Sequence, residues 1–275
     1  MKVKHPTVLI PGASRPIGRA IARMFANAGF ELFLPYYDWA ESIAEMQSEF
    51  DANGFLYTTQ KVDLRNEIEV QKFIKQIKKK TSALTVLINN IERGGMPIVH
   101  GSYDHSHNKD QWEREYDTTV KAKYYLYKHC KKLLQQSKEA SILNISSIAA
   151  EVGRSGPAGL FFSDGYSCSN RAISGFTSDW ARELSPEIRV NELKLGMIDS
   201  RHGKNTRGWQ TMSQKEKKQL KDHILLKRTG LPEEVAEMAF FISTKATYMT
   251  GAVVKLDGGY TLGGDKSTEM PPGIL

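Results

Sequence analysis

The 275-residue chain reads as an α/β protein, a single doubly wound domain with a seven-stranded, mostly parallel sheet and helices on both faces. Three observations lead there. Short apolar runs alternate with longer stretches of helical periodicity, the mark of βαβ units. A glycine-bearing turn joins the first apolar run to the first helical stretch. No internal repeat or interdomain linker divides the chain, so residues 1–265 are expected to form one domain and 266–275, with little apolar pattern, a flexible tail.

"TVLIP" (7–11) predicts a buried strand. The next stretch sets Ile17, Ala20, Ile21, Met24, Phe25 and Ala28 on one helical face and closes at Gly29. "ELFLPYY" (31–37) is a second strand, with Pro35 near its exit, where a missing N–H does least harm. A helix over "WAESIAEMQSEFDANG" leads to a third strand at 55–64. The amphipathic "EIEVQKFIKQIKKK" leads to a fourth at 85–90. A polar loop over 91–110 precedes one long helix from Asp110 to Gln136 and the strand 141–147. A helix beginning near Asp164 is followed by a strand at 188–196. A basic segment, 197–231, then leads to the helix "PEEVAEMAFFIS" and the strand 251–259. Right-handed crossovers between such strands give a sheet covered on both faces.

Composition narrows the function classes. With 40% hydrophobic and 25% charged residues the mixture is that of a soluble protein, and no apolar run approaches the roughly 18–20 residues of a membrane span. "MKVKHPTVLIPGAS" ends its short apolar run at a proline and a glycine, which suits a strand and turn rather than a signal peptide. Cys130 and Cys168 lie far apart, as in a reduced cytoplasm, the expected location. His100, His105 and His107 share a polar loop without a carboxylate or thiol at ligand spacing, so no metal site is assigned. The net charge of +7 concentrates in 201–228, where Arg201, Lys204, Arg207, Lys215, Lys217, Lys218, Lys221, Lys227 and Arg228 face only Glu216 and Asp222. No zinc-finger spacing or RNA-binding aromatic motif accompanies it. A solvated basic helix is the reading, with neither nucleic acid nor membrane as partner.

"PGASRPIG" (11–18) sits where a doubly wound sheet places phosphates, at the exit of the first strand and the start of a helix. Gly12 permits the tight turn and Gly18 close helix–strand contact. Pro16 lacks an N–H but suits the first helical position, where that donor is often unused. Gly12, Ser14, Arg15, Ile17 and Gly18 are therefore the candidate dinucleotide loop of a Rossmann-type domain. Arg15 suits a 2′-phosphate and favours NADP(H), whereas Asp38 suits a free ribose and favours NAD(H). The balance tips to NADP(H).

With "VDL" (62–64), "INN" (88–90), "NISS" (144–147), "YSCSN" (166–170), "IRVN" (188–191) and "TGAVVKLDGGYT" (250–261), the chain resembles the short-chain dehydrogenase/reductase family from about residue 5 to residue 264. The resemblance implies an active-site serine at Ser147, with Ser146 as alternative, and a catalytic tyrosine at Tyr166. It places Asp63 and Leu64 near an adenine, Asn90 and Ile91 beside the adenosine ribose, and Gly196 and Ile198 beside the nicotinamide. A homo-oligomer, tetramer or dimer, follows by analogy with the segment "LDGGYTLGG".

The departures from the family pattern are equally specific. Thr119 stands in place of an asparagine and Asn170 in place of a lysine. Ile91 and Glu92 replace Ala-Gly, and Leu195 replaces a proline. Tyr166 and Asn170, four apart, share one helical face. In the family's chemistry the tyrosine exchanges a proton with the substrate oxygen, the serine hydrogen-bonds that oxygen, and the lysine lowers the phenol pKa from about 10. Losing a cation worth about 1–3 pKa units slows a reaction that needs phenolate by about ten- to a thousandfold. Carbonyl reduction, which needs the protonated phenol, is the less damaged direction. Arg171 and Lys194 do not sit at the helical offset that would replace the lysine. The leading expectation is an NAD(P)H-dependent reductase of a carbonyl compound, with the basic segment attracting an anionic or carrier-bound substrate. The alternatives are a nucleotide-binding protein with weak or no catalysis and, ranked last, a non-redox enzyme on the same fold.

Overall fold

The computed structural model describes residues 5–94, 96–200 and 207–263. Arg201 and Lys204 of the basic segment and the expected tail, 266–275, lie outside the described residues. Seven strands form one sheet in the order β3-β2-β1-β4-β5-β6-β7, and each recorded pairing is parallel. They are β1 (Thr7–Leu9), β2 (Glu31–Tyr36), β3 (Tyr57–Lys61), β4 (Val86–Asn89), β5 (Ala140–Ser147), β6 (Ile188–Leu195) and β7 (Val253–Leu256). The helices are α1 (Pro16–Asn27), α2 (Ala40–Ala52), α3 (Glu67–Lys80), α4 (Pro97–His100), α5 (Gln111–Tyr116), α6 (Ala122–Leu134), α7 (Ala149–Val152), α8 (Asp164–Leu184), α9 (Arg207–Thr211), α10 (Gln214–His223) and α11 (Pro232–Thr244). The order reverses between β1 and β4, which opens the ligand crevice at their carboxyl ends.

The central strands are apolar on both faces because both are covered. Val8, Ile10, Leu32 and Leu34 pack with Phe25 and Val235 under α1 and α11, and Leu9, Phe33, Ile142 and Val190 pack with Phe73, Leu126 and Trp180 under α3, α6 and α8. Phe25 makes edge contacts with Phe30 and Phe240 at centroid distances of 5.0 and 5.1 Å. Pro35 is harmless in β2 because the pairing with β1 ends at Leu9↔Phe33, before the proline is reached.

Several expected boundaries move for local reasons. The third strand is confined to Tyr57–Lys61. The seventh stops at Leu256, ahead of Gly258 and Gly259 with φ of 61° and 79°. The long helix from Asp110 to Gln136 is interrupted by a π turn, Asp117–Lys121, between α5 and α6. The 91–110 loop contains α4, and the basic segment contains α9 and α10 rather than one run. Ser213 starts α10 with a capping box closed by Glu216.

Candidate active site

Tyr166 is placed by the start of α8. Ser163 caps the helix, its Oγ accepting from Tyr166 N at 3.3 Å, and the tyrosine ring lies buried in the first turn. Around it stand Ile148, Ala149, Phe161, Phe162, Met197 and Trp209, an apolar cluster at the carboxyl end of the sheet. Its hydroxyl donates to Glu92 Oε2 at 2.9 Å. Asn170, one turn on, is fully buried; its Nδ2 donates to Tyr166 O at 3.0 Å, and its Oδ1 has no hydrogen-bond partner among the described residues. A buried carbonyl oxygen without a donor is costly and is the acceptor that a sugar hydroxyl would satisfy.

Of the two candidate serines, Ser146 is committed elsewhere, since its hydroxyl donates to the buried Glu192. Ser147, the last residue of β5, accepts from Ala149 N at 3.1 Å, and its own proton has no acceptor among the described residues. Thr119 lies in the π turn and is turned toward the loop after β4, its Oγ1 accepting from Arg93 N at 3.2 Å. π turns recur at functional sites because the extra residue re-aims the side chains around it. Thus Ser147, Tyr166 and Asn170 gather at one end of the sheet, whereas Thr119 fastens the segment that carries Glu92.

The nucleotide crevice is built from tight backbone contacts. A Cβ on Gly12, whose φ is 71°, would lie 2.5 Å from Asn90 O, and one on Gly18 would lie 2.2 Å from Gly12 O. Pro16 occupies the first turn of α1, which has no side-chain cap and no acidic residue, so its dipole and amides face an open end that suits a phosphate. Ser14 is buried and Ile17 half-buried beside that end. Arg15 is exposed, its guanidinium 4.4 Å from the Trp39 ring centroid and 3.3 Å from Ser42 Oγ. Trp39 itself holds a left-handed backbone with φ of 69°, the kind of strain that collects at ligand sites. At the adenine end, Asp63 accepts from Arg65 at 2.8 and 2.7 Å, which holds its carboxyl below the usual range, and Leu64 is buried. Asn90 Nδ2 reaches Pro11 O at 3.3 Å, and Ile91 is half-buried beside it. Gly196 passes so close to Asp257 that a Cβ would lie 2.5 Å from its Cα, and Ile198 pairs with Gly230. An open cleft of about 550 Å³ between Asp63 and Asp117 adjoins the adenine end, but its acidic wall lies away from Tyr166 and is not the reacting centre.

The two nearby cations that the sequence offers at other offsets, Arg171 and Lys194, are occupied elsewhere. Arg171 Nε donates to Ala150 O at 2.8 Å, and Lys194 Nζ donates to Glu151 at 3.0 Å. Sequence reasoning passed over a third cation. Lys123, in the first turn of α6, is fully buried, with Nζ 2.8 Å from Ile91 O. Burial pushes its ammonium down to about 8 against the opposing pull of Glu92 and Glu192. Glu115 was likewise unmarked. It is fully buried and accepts from Tyr103 (2.6 Å), Ser163 (2.8 Å) and Gln111 (2.9 Å), tying the 91–110 loop to the cap of α8. In the basic segment Lys217 and Lys221 lie 5.8 and 5.7 Å from the Trp209 ring, while Lys218 pairs with Asp222. His105 and His107 are exposed and stack on each other at 5.4 Å.

A parallel sheet with a glycine turn at its switch point, and a buried serine, tyrosine and amide at its carboxyl edge, defines a nucleotide-dependent oxidoreductase. The chain belongs to the short-chain dehydrogenase/reductase family. Residues 12–261 match the family model described as Enoyl-(Acyl carrier protein) reductase. The chain is 28% identical over 255 residues to the 3-oxoacyl-(acyl-carrier-protein) reductase of Staphylococcus aureus, covering 92% of this chain and 97% of that protein. It is also 28% identical over 257 residues to the enzyme of the same name from Synechocystis, covering 92% and 96%. In fold it is similar to a short-chain type dehydrogenase/reductase from Mycobacterium ulcerans, with a TM-score of 0.78 at 23% identity over 96% of this chain and 92% of that one.

Proposed function

We propose that this chain reduces a carbonyl group, with NADPH preferred to NADH as hydride donor, and that Ser147 and Tyr166 act on the carbonyl oxygen. The observation that carries this reading is the Tyr166 hydroxyl, buried in an apolar cluster and donating to an acceptor 2.9 Å away. A phenol that keeps its proton serves as the acid that reduction needs. The nucleotide would lie over the open start of α1, with Gly12, Ser14, Ile17 and Gly18 about its phosphates. Asp63 and Leu64 would flank the adenine, Asn90 and Ile91 the adenosine ribose, and Gly196 and Ile198 the nicotinamide. The orphaned Asn170 Oδ1 would accept from a ribose hydroxyl. When bound, the nucleotide supplies the hydride; Ser147 orients the oxygen and Tyr166 gives it a proton. Arg15, with Lys61 and Arg65 about Tyr37, supports the 2′-phosphate, against the lone exposed Asp38.

For the substrate, the apolar wall of Phe161, Phe162 and Trp209, with Lys217 and Lys221 over the indole, suits an apolar chain ending in an anionic group. A 3-oxoacyl thioester fits that description and the names of the relatives. We also propose that the working form is a homo-oligomer. The test is a panel of 3-oxoacyl thioesters and simple ketones assayed by nucleotide absorbance. NADPH is expected to outperform NADH, and Tyr166→Phe to lower turnover by roughly 10²–10⁴-fold. A chain that consumes neither nucleotide with any carbonyl overturns the reading.

A further inference from the structure

Four departures from the family pattern meet at one place. Lys123 donates to Ile91 O at 2.8 Å and Thr119 accepts from Arg93 N at 3.2 Å, so the backbone on both sides of Glu92 is fastened from the π turn and α6. Held in this way, the Glu92 carboxylate reaches the Tyr166 hydroxyl at 2.9 Å. Asn170 is neutral and turned to a backbone carbonyl, so position 170 supplies no charge. The buried charge comes instead from Lys123, whose electrostatic partners are Glu92 and Glu192. A fully buried ammonium is expensive, and an apolar residue would serve packing better. Its presence is explained if it balances a carboxylate that the site requires.

Building on the reductase reading, we propose that Glu92 is the proton-relay residue for Tyr166, with Lys123 as the buried counter-ion that positions it, together replacing the lysine missing at 170. As the substrate carbonyl is reduced, the Tyr166 O–H bond breaks and its proton passes to the substrate oxygen. A proton taken from water by Glu92, which is half-exposed, is then passed to the tyrosyl oxygen. Tyr166 is again a phenol and Glu92 again a carboxylate. Net, one solvent proton and the hydride of the reduced nicotinamide nucleotide convert the carbonyl to the alcohol. Among the described residues, the charged groups around the relay include Lys123 from α6, Glu192 and Lys194 from β6, Glu151 from α7, which pairs with Lys194, and Arg93 beside Glu92.

The test is a phenolate absorbance titration of nucleotide-free protein, with Tyr166→Phe subtracted to isolate Tyr166. Glu92→Gln removes a negative neighbour and is expected to move the Tyr166 titration to lower pH by about one pH unit or more; Lys123→Met removes the positive one and is expected to move it higher. Opposite displacements are the signature, because a loosened structure moves both variants alike. Glu92→Gln is also expected to lower carbonyl turnover by about tenfold or more, with nucleotide affinity unchanged and Glu92→Asp recovering part of the rate. Titrations that coincide with wild type, or that move in the same direction, overturn the relay. Made without nucleotide, this measurement reads the Glu92–Tyr166–Lys123 coupling independently of turnover, whereas a wild-type chain that consumes no NAD(P)H strikes the reductase reading.

Discussion

Lys123 is a burden on the fold at neutral pH, and that burden is measurable. Unfolded, its ammonium keeps its proton up to about 10.5; folded, burial pushes it down to about 8. Between those values the unfolded chain binds more protons than the folded one, so this residue's contribution to stability rises with pH across the window. The gap corresponds to a penalty on the order of 3 kcal/mol below pH 8, relieved as pH climbs toward 10.5. Lys123→Met carries no such penalty. Urea unfolding of both proteins from pH 7 to above pH 10 is expected to show wild type gaining on the variant by most of that amount, and a constant difference would contradict the burial. The sequence concealed this residue because "KAKYYLYK" offers three lysines, Lys121, Lys123 and Lys128, with nothing to mark which is buried. Lys121, two places earlier, pairs with Asp117 near the surface. Rotation of about 100° per residue, altered by the π turn before it, decides which lysine enters the core. The placement of Tyr166, Ser147 and Asn170 at one edge of the sheet was legible because a strand end and a helix start fix their position with few degrees of freedom.

At the scale of elements, boundaries marked by local chemistry were readable and those set by distant contacts were not. Pro232 opens α11 and Asn66 caps α3 through its own side chain, so both starts follow from neighbouring residues. The π turn at Asp117–Lys121 leaves no mark in the apolar pattern, and Glu115 in "QWEREYD" looks like a surface charge. It is buried only because Tyr103 and Ser163 arrive from other parts of the chain. Burial, and then the Glu115 carboxylate, push the Tyr103 phenol up to about 12, so its proton stays in the clamp at physiological pH. Glu115→Gln puts an amide N–H₂ among groups that donate, and is expected to lower stability by about 1–3 kcal/mol. Tyr103→Phe is expected to cost about 0.5–1.5 kcal/mol, and the double variant less than the sum of the two. Denaturant midpoints for the four proteins provide the check, and strict additivity would mean that Tyr103 and Glu115 do not share one clamp.

For the whole molecule, the alternation of runs conveyed the sheet and its parallel sense, because a helix between every pair of long strands leaves little other topology. What it did not convey is how differently the sheet's two edges meet solvent. The β3 edge carries Thr58, Thr59, Gln60 and Lys61, polar residues that discourage pairing with another chain. The β7 edge exposes Val253 (42%), and the adjoining α11 exposes Phe241 (50%). Leu262, just beyond β7, is more exposed still (76%). An unpaired edge flanked by exposed apolar side chains calls for a cover, and the covering surface that fits an apolar parallel-sheet edge by symmetry is the same edge of a second copy. Sedimentation of the wild-type chain is therefore expected to show a dimer or tetramer. Val253→Lys together with Phe241→Glu is expected to release smaller species at the same concentration, while Thr58→Lys on the β3 edge leaves the assembly unchanged. Because β7 pairs with β6, and Gly196 at the exit of β6 packs on Asp257 just after β7, the weakened assembly should also bind nucleotide less tightly. A wild-type monomer that binds nucleotide as tightly as the edge variants would show that β7 needs no cover.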